Sequence, residues 1–435
     1  SISTEFSSYP EALEIMWNII IPMTQSLEGR FASICALLYS LTEGCDFYQS
    51  KIIDLKQLFI QGLNDPAECT NEAAAKAIGE LAISQKKQIK SISGDLIQTL
   101  LAKLSQSPNA EYVNSIDNIV KAADDIGNAF SYIFETLFNL LQVADSSLQF
   151  SIFNCLYSLV QHSPKQARHF FQQIVNLCIQ VLSSNNQLDL LKGRAISILS
   201  FLMESSTKLF APLVPQFHQL IIQNLQSNDQ AILYESIRAY GHLLRNYREQ
   251  QELKESIQTV FPKLIEFASK EIKIRGENED EVFLGEETEG VDYDSIIEPI
   301  IRVVGSSILV ASYALSAYPN LIQSNMQRLF DAIQNQFNVG DPDIAFNCAQ
   351  GCANLFEAIQ KIGFNEQTQP IVSNIVSLLS QIAASESGTD AAGAAFTAIS
   401  DVIASDEVLG ILSCYNYLGS ILGSVQAVFK GEMLY

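Results

Sequence analysis

The chain has 435 residues and carries 26 lysines and arginines against 48 aspartates and glutamates, a formal net charge of −22 at pH 7. A surface this acidic repels the phosphates of nucleic acids and anionic lipids and attracts basic polypeptides, so direct nucleic-acid binding is not expected. Its eight cysteines lack the spacing of a secreted scaffold, and no apolar run approaches the ~20 residues that cross a bilayer, which predicts a protein of a reducing compartment without membrane insertion.

Short polar breaks recur along the chain at a spacing of about forty residues, and each opens a predicted helix. The first five are centred on positions 65, 107, 145, 186 and 229, so the steps between them are 42, 38, 41 and 43 residues. The next break, at Asp341, comes 112 residues after position 229, which fits two such units and an insertion. Asp, Asn and Ser side chains at these breaks are expected to cap the following helix. A repeat of this length predicts an all-α superhelix, or solenoid.

About nine helical pairs follow from the apolar periodicity. The first five are predicted at Pro10 to Gln25 with Arg30 to Thr42, Ile52 to Leu63 with Glu72 to Ser84, Ile89 to Leu104 with Tyr112 to Ile126, Tyr132 to Gln142 with Leu148 to Gln161, and Ala167 to Leu182 with Leu190 to Met203. The others are predicted at Leu213 to Leu225 with Ala231 to Leu244, Ile257 to Ile274 with Ile296 to Ala317, Leu321 to Phe337 with Ile344 to Ile362, and Ile371 to Ala384 with Ala391 to Ala404, before an apolar helix from Val408 onward. No linker separates them, so residues 1–435 are predicted to form a single continuous solenoid.

One segment interrupts this rhythm, an acidic inserted loop at residues 276–294. Its nine carboxylates are Glu277, Glu279, Asp280, Glu281, Glu286, Glu287, Glu289, Asp292 and Asp294. A polar loop of this length inside a tight repeat array is usually functional or disordered. Two interpretations stay open: an arm that attracts Lys- or Arg-rich partners at long range, or a solvated loop that keeps the protein soluble or folds back on Lys270, Lys273 and Arg275.

Several stretches resemble the importin-β (karyopherin-β) family of nuclear transport receptors, which are built of HEAT repeats. These stretches are Ala32–Glu43, Leu58–Asp65, Ala73–Gly79, Leu190–Ile196 and Glu281–Gly285. The first three resemble an early-middle repeat of the import receptors that carry ribosomal proteins and histones. The fourth resembles a helix start in the same branch, and the last resembles an acidic insertion a few repeats later.

The resemblance implies a non-enzymatic receptor of the cytoplasm and nucleus that uses no cofactor. Its acidic concave surface is expected to bind basic cargo proteins, and nucleoporins are further candidate partners. The amino-terminal repeats that bind the GTPase Ran in this family are expected to precede the segment covered by the resemblance, so that Ran-GTP would control cargo release in a longer protein. The alternative is a HEAT-repeat scaffold or regulatory subunit of the phosphatase-scaffold type, which has little use for an acidic insertion in mid-array.

In HEAT superhelices the second helix of each pair lines the concavity, so its polar face is a candidate partner-binding surface. Positions six, nine and thirteen after the capping residue are expected to share that face. Besides the acidic loop, this rule selects the candidates Asn154, Glu235, Arg238, Asn347, Gln350 and Asn354. It also places Ser151, Ser158 and His242 on this face, and the alternative is that such residues only face water.

No residue pattern indicates catalysis or a metal site. Cys348 and Cys352 are four residues apart on one helical face, but a structural zinc site needs four ligands and no histidine or third cysteine lies nearby. Core packing is the favoured interpretation of this pair. The chain also has no Gly-rich phosphate loop, no nucleophile-elbow pattern and no paired carboxylates in an apolar setting. The sequence therefore predicts a binding protein and not an enzyme.

Overall fold

The computed structural model describes residues 10–41, 46–123, 126–184, 189–272, 293–386 and 389–405. Within these ranges the regular structure is helical and includes no β-strand, which confirms the predicted all-α fold. The chain divides into two compact units, Ser1–Ser206 and Thr207–Tyr435. The continuity of the solenoid over residues 1–435 stays a prediction, and the apolar helix predicted from Val408 onward lies outside the described residues.

The described part of the first unit contains five helical pairs. They are α1 (Pro10–Met23) with α2 (Leu27–Leu41), α3 (Ile52–Leu63) with α4 (Glu68–Ser84), α5 (Ser93–Gln106) with α6 (Ala110–Ala123), α7 (Ala129–Leu140) with α8 (Ser146–His162), and α9 (Phe171–Ser183) with α10 (Asp189–Ser205). The second helices α2, α4, α6, α8 and α10 pack on one another in succession, while α3, α5 and α7 form a layer of first helices. Each pair thereby buries its apolar stripes against its neighbours, as stacked repeats do.

The second unit repeats this arrangement with four pairs in its described residues. They are α11 (Val214–Asn224) with α12 (Gln230–Tyr247), α13 (Gln251–Ala268) with α14 (Tyr293–Ala317), α15 (Met326–Phe337) with α16 (Pro342–Ile362), and α17 (Gln369–Ser385) with α18 (Asp390–Ile403). The second helices α12, α14, α16 and α18 again pack in succession, and α11, α13, α15 and α17 form the layer of first helices. The two units together give the nine pairs that the periodicity predicts.

Glycine permits the closest approach between second helices. A Cβ atom on Gly241 of α12 would lie 2.8 Å from a methyl group of Val310 on α14, and one on Gly351 of α16 would lie 2.9 Å from a methyl group of Ile308. Carbon atoms in van der Waals contact are about 3.5–4.0 Å apart, so neither position has room for a side chain. These glycines hold α12, α14 and α16 at short distance.

Three of the predicted capping residues accept a backbone N–H of the helix that they open. The Asp145 carboxylate accepts the N–H of Leu148 at 2.8 Å. Asp229 accepts that of Ile232 at 2.9 Å, and Asp341 accepts that of Ile344 at 2.9 Å. Each aspartate has the extended backbone typical of a capping position. These three polar breaks therefore begin second helices for the expected reason.

Asp65 has a different role from the one that its position in the repeat predicts. Its carboxylate accepts a hydrogen bond of 2.6 Å from the guanidinium of Arg30 on α2, and it also accepts the backbone N–H of Ala67. The Asp65 side chain is fully buried, so this ion pair joins two successive helical pairs inside the core. Loss of one partner of such a pair would leave a buried charge uncompensated.

Three first helices begin four or more residues later than predicted, and the first of them is α5, which begins at Ser93 and not at Ile89. The other two are α9 and α15. The predicted starts were Ala167 and Leu321, whereas α9 begins at Phe171 and α15 at Met326. In both places a proline at the first position opens a single helical turn, Pro164–Ala167 or Pro319–Ile322, and a 3₁₀ turn then leads into the longer helix. Apolar periodicity continues through these turns, so it does not mark the break.

Helix α14 contains an apolar stretch that composition did not predict. Residues Pro299–Ala317 form a 19-residue window with a mean hydropathy of 1.6, long and apolar enough to cross a membrane by those two measures. The prediction that the chain has no apolar run of nearly 20 residues is therefore wrong. The helix packs against α12, α13 and α16, and 61% of the window is buried inside the protein, as expected for a core helix.

Candidate partner-binding surface

The second helix α12 places three polar side chains on the side that faces away from its packed neighbours. Glu235, Arg238 and His242 are half-buried, and they alternate with the buried residues Ile232, Leu233, Ser236, Ile237, Ala239, Tyr240 and Leu243. A spacing of three and four residues puts them on one stripe of the helix. Arg238 lies 3.6 Å from Glu235, and its guanidinium lies over the ring of Tyr234 with the centroid 5.4 Å away.

The second helix α16 carries amides at the corresponding positions. Asn347, Gln350 and Asn354 are half-buried on one stripe. The side-chain amide of Asn347 donates to the backbone carbonyl of Asp343 at 2.8 Å, and that of Asn354 donates to the hydroxyl of Ser312 on α14 at 3.1 Å. Because these N–H groups donate to acceptors within the protein, the orientation of the Asn347 and Asn354 amide groups is fixed.

On α8 the polar stripe runs one residue away from the predicted one. Asn154 is half-buried as the spacing rule requires, but Ser151 and Ser158 are buried, and Tyr157 occupies the stripe instead. The carbonyl oxygen of Asn154 is buried and has no hydrogen-bond partner among the described residues. An acceptor left unpaired in this way costs about 1–3 kcal/mol.

The structure does not describe the acidic loop. Eight of its nine carboxylates lie outside the described residues: Glu277, Glu279, Asp280, Glu281, Glu286, Glu287, Glu289 and Asp292. Asp294 belongs to the first turn of α14, and its side chain is also outside the description. The contribution of the loop to partner binding therefore stays a prediction.

The sequence reasoning missed a carboxylate on the second helix α6. Asp117 is 6% exposed, and one of its carboxylate oxygens accepts a hydrogen bond of 2.7 Å from the ammonium of Lys121. Its other oxygen is buried and has no hydrogen-bond partner among the described residues. Both charges act on the thiol of Cys155 on α8, whose pKa is raised by burial and further by Asp117. The only signal in the sequence is the four-residue spacing between Asp117 and Lys121.

Arginines on the second helices stack on tyrosines, which was also not predicted. Arg194 on α10 lies over the ring of Tyr157 on α8 with the centroid 4.9 Å away. In the second unit Arg245 on α12 lies over Tyr313 of α14 with the centroid at 5.8 Å. Partners on different helices give no local sequence signal, and only the pair of Arg238 with Tyr234 has helical spacing.

The described side chains of α12 and α14 include three arginines, Arg238, Arg245 and Arg302. The described side chains of these two helices include one carboxylate, Glu235. Asp294 and Glu298 also belong to α14, and their side chains lie outside the described residues.

Cys348 and Cys352 belong to the core of α16. Both thiols are fully buried, and the Cys348 sulfur donates to the backbone carbonyl of Ile333 at 3.4 Å. Burial raises the pKa of Cys348 to about 12, so its thiol is protonated at neutral pH and poorly suited to bind metal.

An open groove lies between the first helices α5 and α7. Its volume is about 530 Å³, and its lining includes Ile97, Leu101, Ala129 and Tyr132 and no charged side chain. Tyr132 is 69% exposed at the edge of this groove. The groove is separate from the second-helix layer.

Comparison with known proteins agrees with this architecture. A family model described as the HEAT repeats of stalled ribosome sensor GCN1-like proteins matches residues 116–304. No match was found among curated proteins. Many solved structures share the fold, among them karyopherins.

Three of these solved structures illustrate the extent of the similarity. Kap121p bound to the extreme C-terminus of the protein phosphatase Cdc14p is 14% identical, with a TM-score of 0.72 over 95% of this chain and 42% of that one. Kap121p bound to Nup53p is 14% identical, with a TM-score of 0.71 over 96% and 41%. Importin beta is 13% identical, with a TM-score of 0.71 over 94% and 52%. The chain thus has a HEAT-repeat fold shared with karyopherins, and it spans about half or less of the length of these proteins.

Proposed function

We propose that this chain is part of a nuclear transport receptor that captures basic protein partners by non-covalent contacts on its second helices. In a longer protein, Ran-GTP bound to other repeats would control release, and the receptor would shuttle between cytoplasm and nucleus. The similarity to karyopherin structures over nearly the whole chain supports the fold that this role requires. No chemical step is part of the proposal.

The observation that carries the proposal is the set of half-buried amide side chains on the second helices of both units. An Asn or Gln side chain offers both a carbonyl and an N–H₂ group, which match the backbone of an extended peptide. Asn154, Asn347, Gln350 and Asn354 repeat this group on the second helices of the two units. Glu235, Arg238 and the carboxylates of the acidic loop would add charge selection for the partner.

Basic partners are favoured by the balance of charge over the whole chain. A net charge of −22 raises the rate of encounter with a cationic peptide at low ionic strength. The nine carboxylates predicted at residues 276–294 would concentrate this effect in one place. The attraction must weaken as salt is added, because exposed charges more than about 8 Å apart are screened at 0.15 M.

Nucleoporins are the second class of partner in this proposal. The groove between α5 and α7 is open, uncharged and lined mostly by apolar residues, which suits an apolar side chain of an extended segment. Kap121p has been crystallised with Nup53p, which supports looking for such a partner.

The test measures the affinity of a Lys-rich signal peptide across a salt series. We compare the unchanged protein with Asn154→Ala, with a deletion of residues 277–294, and with Asn176→Ala on the first helix α9 as the matched control. Asn154→Ala is expected to weaken binding several-fold, the deletion to flatten the salt dependence, and the control to change nothing. Equal affinities in all four samples would refute the proposed role of the second helices and of the loop.

The match of residues 116–304 to GCN1-like HEAT repeats favours one alternative, a scaffold that holds protein partners without transport. Binding to Ran-GTP distinguishes a transport receptor from a scaffold. Pull-down of the complete protein with GTP-locked Ran is expected to recover it and to displace the basic peptide if it is a transport receptor. A protein that keeps its partners regardless of Ran-GTP would be a scaffold.

A further inference from the structure

Two free thiols lie on adjacent second helices of the first unit. Cys35 is half-buried on α2, and Cys69 is exposed in the first turn of α4. The other four cysteines that the structure describes are buried: Cys155, Cys178, Cys348 and Cys352. Among the described cysteines, solvent therefore reaches Cys35 and Cys69 alone.

Contacts between successive second helices recur in one register. A residue eleven or twelve positions after the start of one second helix meets the residue five positions after the start of the next. These contacts are Gly79 of α4 with Ser115 of α6, Tyr157 of α8 with Arg194 of α10, and Gly305 of α14 with Asn347 of α16. The register therefore describes the packing of second helices in both units.

This register puts Cys35 opposite Cys69. Cys35 is eight residues after the start of α2 and Cys69 is one residue after the start of α4, which is one helical turn before the recurring contact on each helix. At the equivalent positions of α4 and α6, the ammonium of Lys76 lies 3.7 Å from the carboxylate of Glu111. Burial raises the pKa of the Cys35 thiol, and the charge of the nearby Cys69 raises it further.

The contact between α2 and α4 is close enough for a disulfide. The positions of α4 that the register places against α2 after Cys69 are Ala73 and Ala77, and both are buried. Packed helix axes are about 8–10 Å apart, and small residues at the contact favour the lower value. Because Cα atoms lie about 2.3 Å from a helix axis, facing Cα atoms are about 3.5–5.5 Å apart in projection. A disulfide joins Cα atoms about 4.4–6.8 Å apart, so the two thiols are within reach of each other.

We propose that Cys35 and Cys69 are a redox-sensitive dithiol, which closes to a disulfide between the helical pair α1–α2 and the pair α3–α4. The oxidant is a low-molecular-weight disulfide such as oxidised glutathione. The exposed Cys69 thiolate attacks one sulfur of the oxidant and releases one thiolate. The Cys35 thiol then loses its proton to water, and its sulfur attacks the sulfur of Cys69 and releases the second thiolate. Two protein thiols are oxidised while one disulfide is reduced to two thiols.

The bridge would restrict motion between two repeats. A stack of repeats bends because each pair contacts only its neighbours, so a covalent link between α2 and α4 fixes their spacing. The reducing compartment that the cysteine pattern predicts keeps the dithiol open, and a shift to more oxidising conditions closes it. This inference goes beyond the proposed function and involves no protein partner, so the two can fail separately.

The test equilibrates the full chain with increasing ratios of oxidised to reduced glutathione. Acid stops the exchange, N-ethylmaleimide blocks the remaining thiols, and mass spectrometry identifies the linked peptides. The expected product joins Cys35 to Cys69 and is reversed by dithiothreitol. Cys35→Ser is expected to stop at glutathione bound to Cys69, because no second thiol displaces it. Cys69→Ser is expected to lower the linked product at least about tenfold, since the exposed attacking thiol is lost.

The matched control moves the thiol along the same face of α4. Cys69→Ser combined with Lys76→Cys places it seven residues further on, about 10.5 Å away, so no link to Cys35 is expected. Equal cross-linking from position 76 would overturn the site, because the link would then reflect unfolding and not the register. Cys45 and Cys414 lie outside the described residues, and a product that joins Cys69 to either of them in place of Cys35 would overturn it as well.

Thermal unfolding shows whether the bridge fits the native packing. The oxidised protein is expected to unfold at a higher temperature than the reduced protein, because the link restricts the unfolded chain. The midpoint of Cys69→Ser is expected to stay the same in both buffers. A linked protein whose midpoint is equal or lower would contradict the proposed geometry, since the bridge would then have formed by distorting the repeats.

Discussion

The hydroxyl of Tyr318 donates to the backbone carbonyl of Arg248 at 2.5 Å, joining two residues 70 positions apart. Tyr318 directly follows α14 and Arg248 directly follows α12, so the bond ties together the carboxyl ends of two adjacent second helices. Carbonyls at the end of a helix lack partners within it, and a neighbouring hydroxyl satisfies one of them here. The hydroxyl of Tyr247 also donates to a backbone carbonyl, that of Thr207, at 2.6 Å.

We expect Tyr318→Phe to lower the free energy of unfolding by about 0.5–1.5 kcal/mol, the usual net value of one hydrogen bond. The ring stays in place and only the donor is lost. Burial raises the pKa of Tyr318 to about 12, so the hydroxyl keeps its proton at neutral pH. Urea unfolding measures the change, with Tyr132→Phe at an exposed position as the control. Equal stability of the two variants would show that the bond contributes nothing.

The close approach at Gly241 predicts that alanine is not tolerated there. A Cβ atom 2.8 Å from Val310 must displace that side chain or the helix, at a cost of about 1–3 kcal/mol. Gly393 on α18 is the matched control, because a Cβ atom there would meet nothing within 4 Å. Gly393→Ala is expected to stabilise by about 0.5–1 kcal/mol through helix propensity. Thermal unfolding that shifts both variants in the same direction would contradict the packing.

The cap at Asp341 can be tested at a single position. Asp341→Ala removes the acceptor for the N–H of Ile344 and is expected to cost about 1 kcal/mol, whereas Asp341→Asn keeps a capping oxygen and should cost much less. Denaturant unfolding compares the two. An Asn variant as unstable as the Ala variant would mean that the charge, and not the cap, is what matters.

His218 predicts a dependence of stability on acid pH. It is 8% exposed and shares a hydrogen bond of 2.9 Å between Nε2 and the Ser256 hydroxyl. Burial lowers the pKa of His218 from its ordinary 6.5, an effect partly opposed by the charge of Glu252. Below about pH 6.5 the unfolded chain therefore binds a proton that the folded protein does not, and stability falls until the pKa of the folded state is passed.

We expect His218→Gln to be less stable than the unchanged protein at pH 7.5 and to lose less stability between pH 7 and pH 5. Urea midpoints across this range measure the difference in slope. The exposed His169→Gln is the control, and it should keep the original slope. A His218 variant with an unchanged slope would remove this histidine from the acid response.

Most of the fold could be predicted because its signals are local. The caps at Asp145, Asp229 and Asp341 lie in the sequence immediately before the helices that they open, and the apolar periodicity gives the number of pairs. The late start of α9 at Phe171 was missed because the single turn from Pro164 to Ala167 continues the same periodicity. Local signals therefore locate helices better than they locate the turns between them.

The candidate surface was harder to predict because its geometry depends on neighbouring repeats. The stripe on α8 includes Asn154 and Tyr157 and not Ser158, since packing on both sides decides which direction is exposed. The stack of Arg245 on Tyr313 joins residues 68 positions apart, and no spacing rule within one repeat reveals it. The role of Asp117 was hidden because a carboxylate among apolar residues looks like an interruption of the core.

The apolar helix α14 has a consequence for synthesis of the protein. Residues Pro299–Ala317 leave the ribosome before α16, which covers one side of them and ends 45 residues later at Ile362. During that interval the nascent chain displays a segment with the length and hydropathy of a membrane anchor. The helices α12 and α13 precede this segment and pack on it, so we expect their early docking to shield it before α16 is complete.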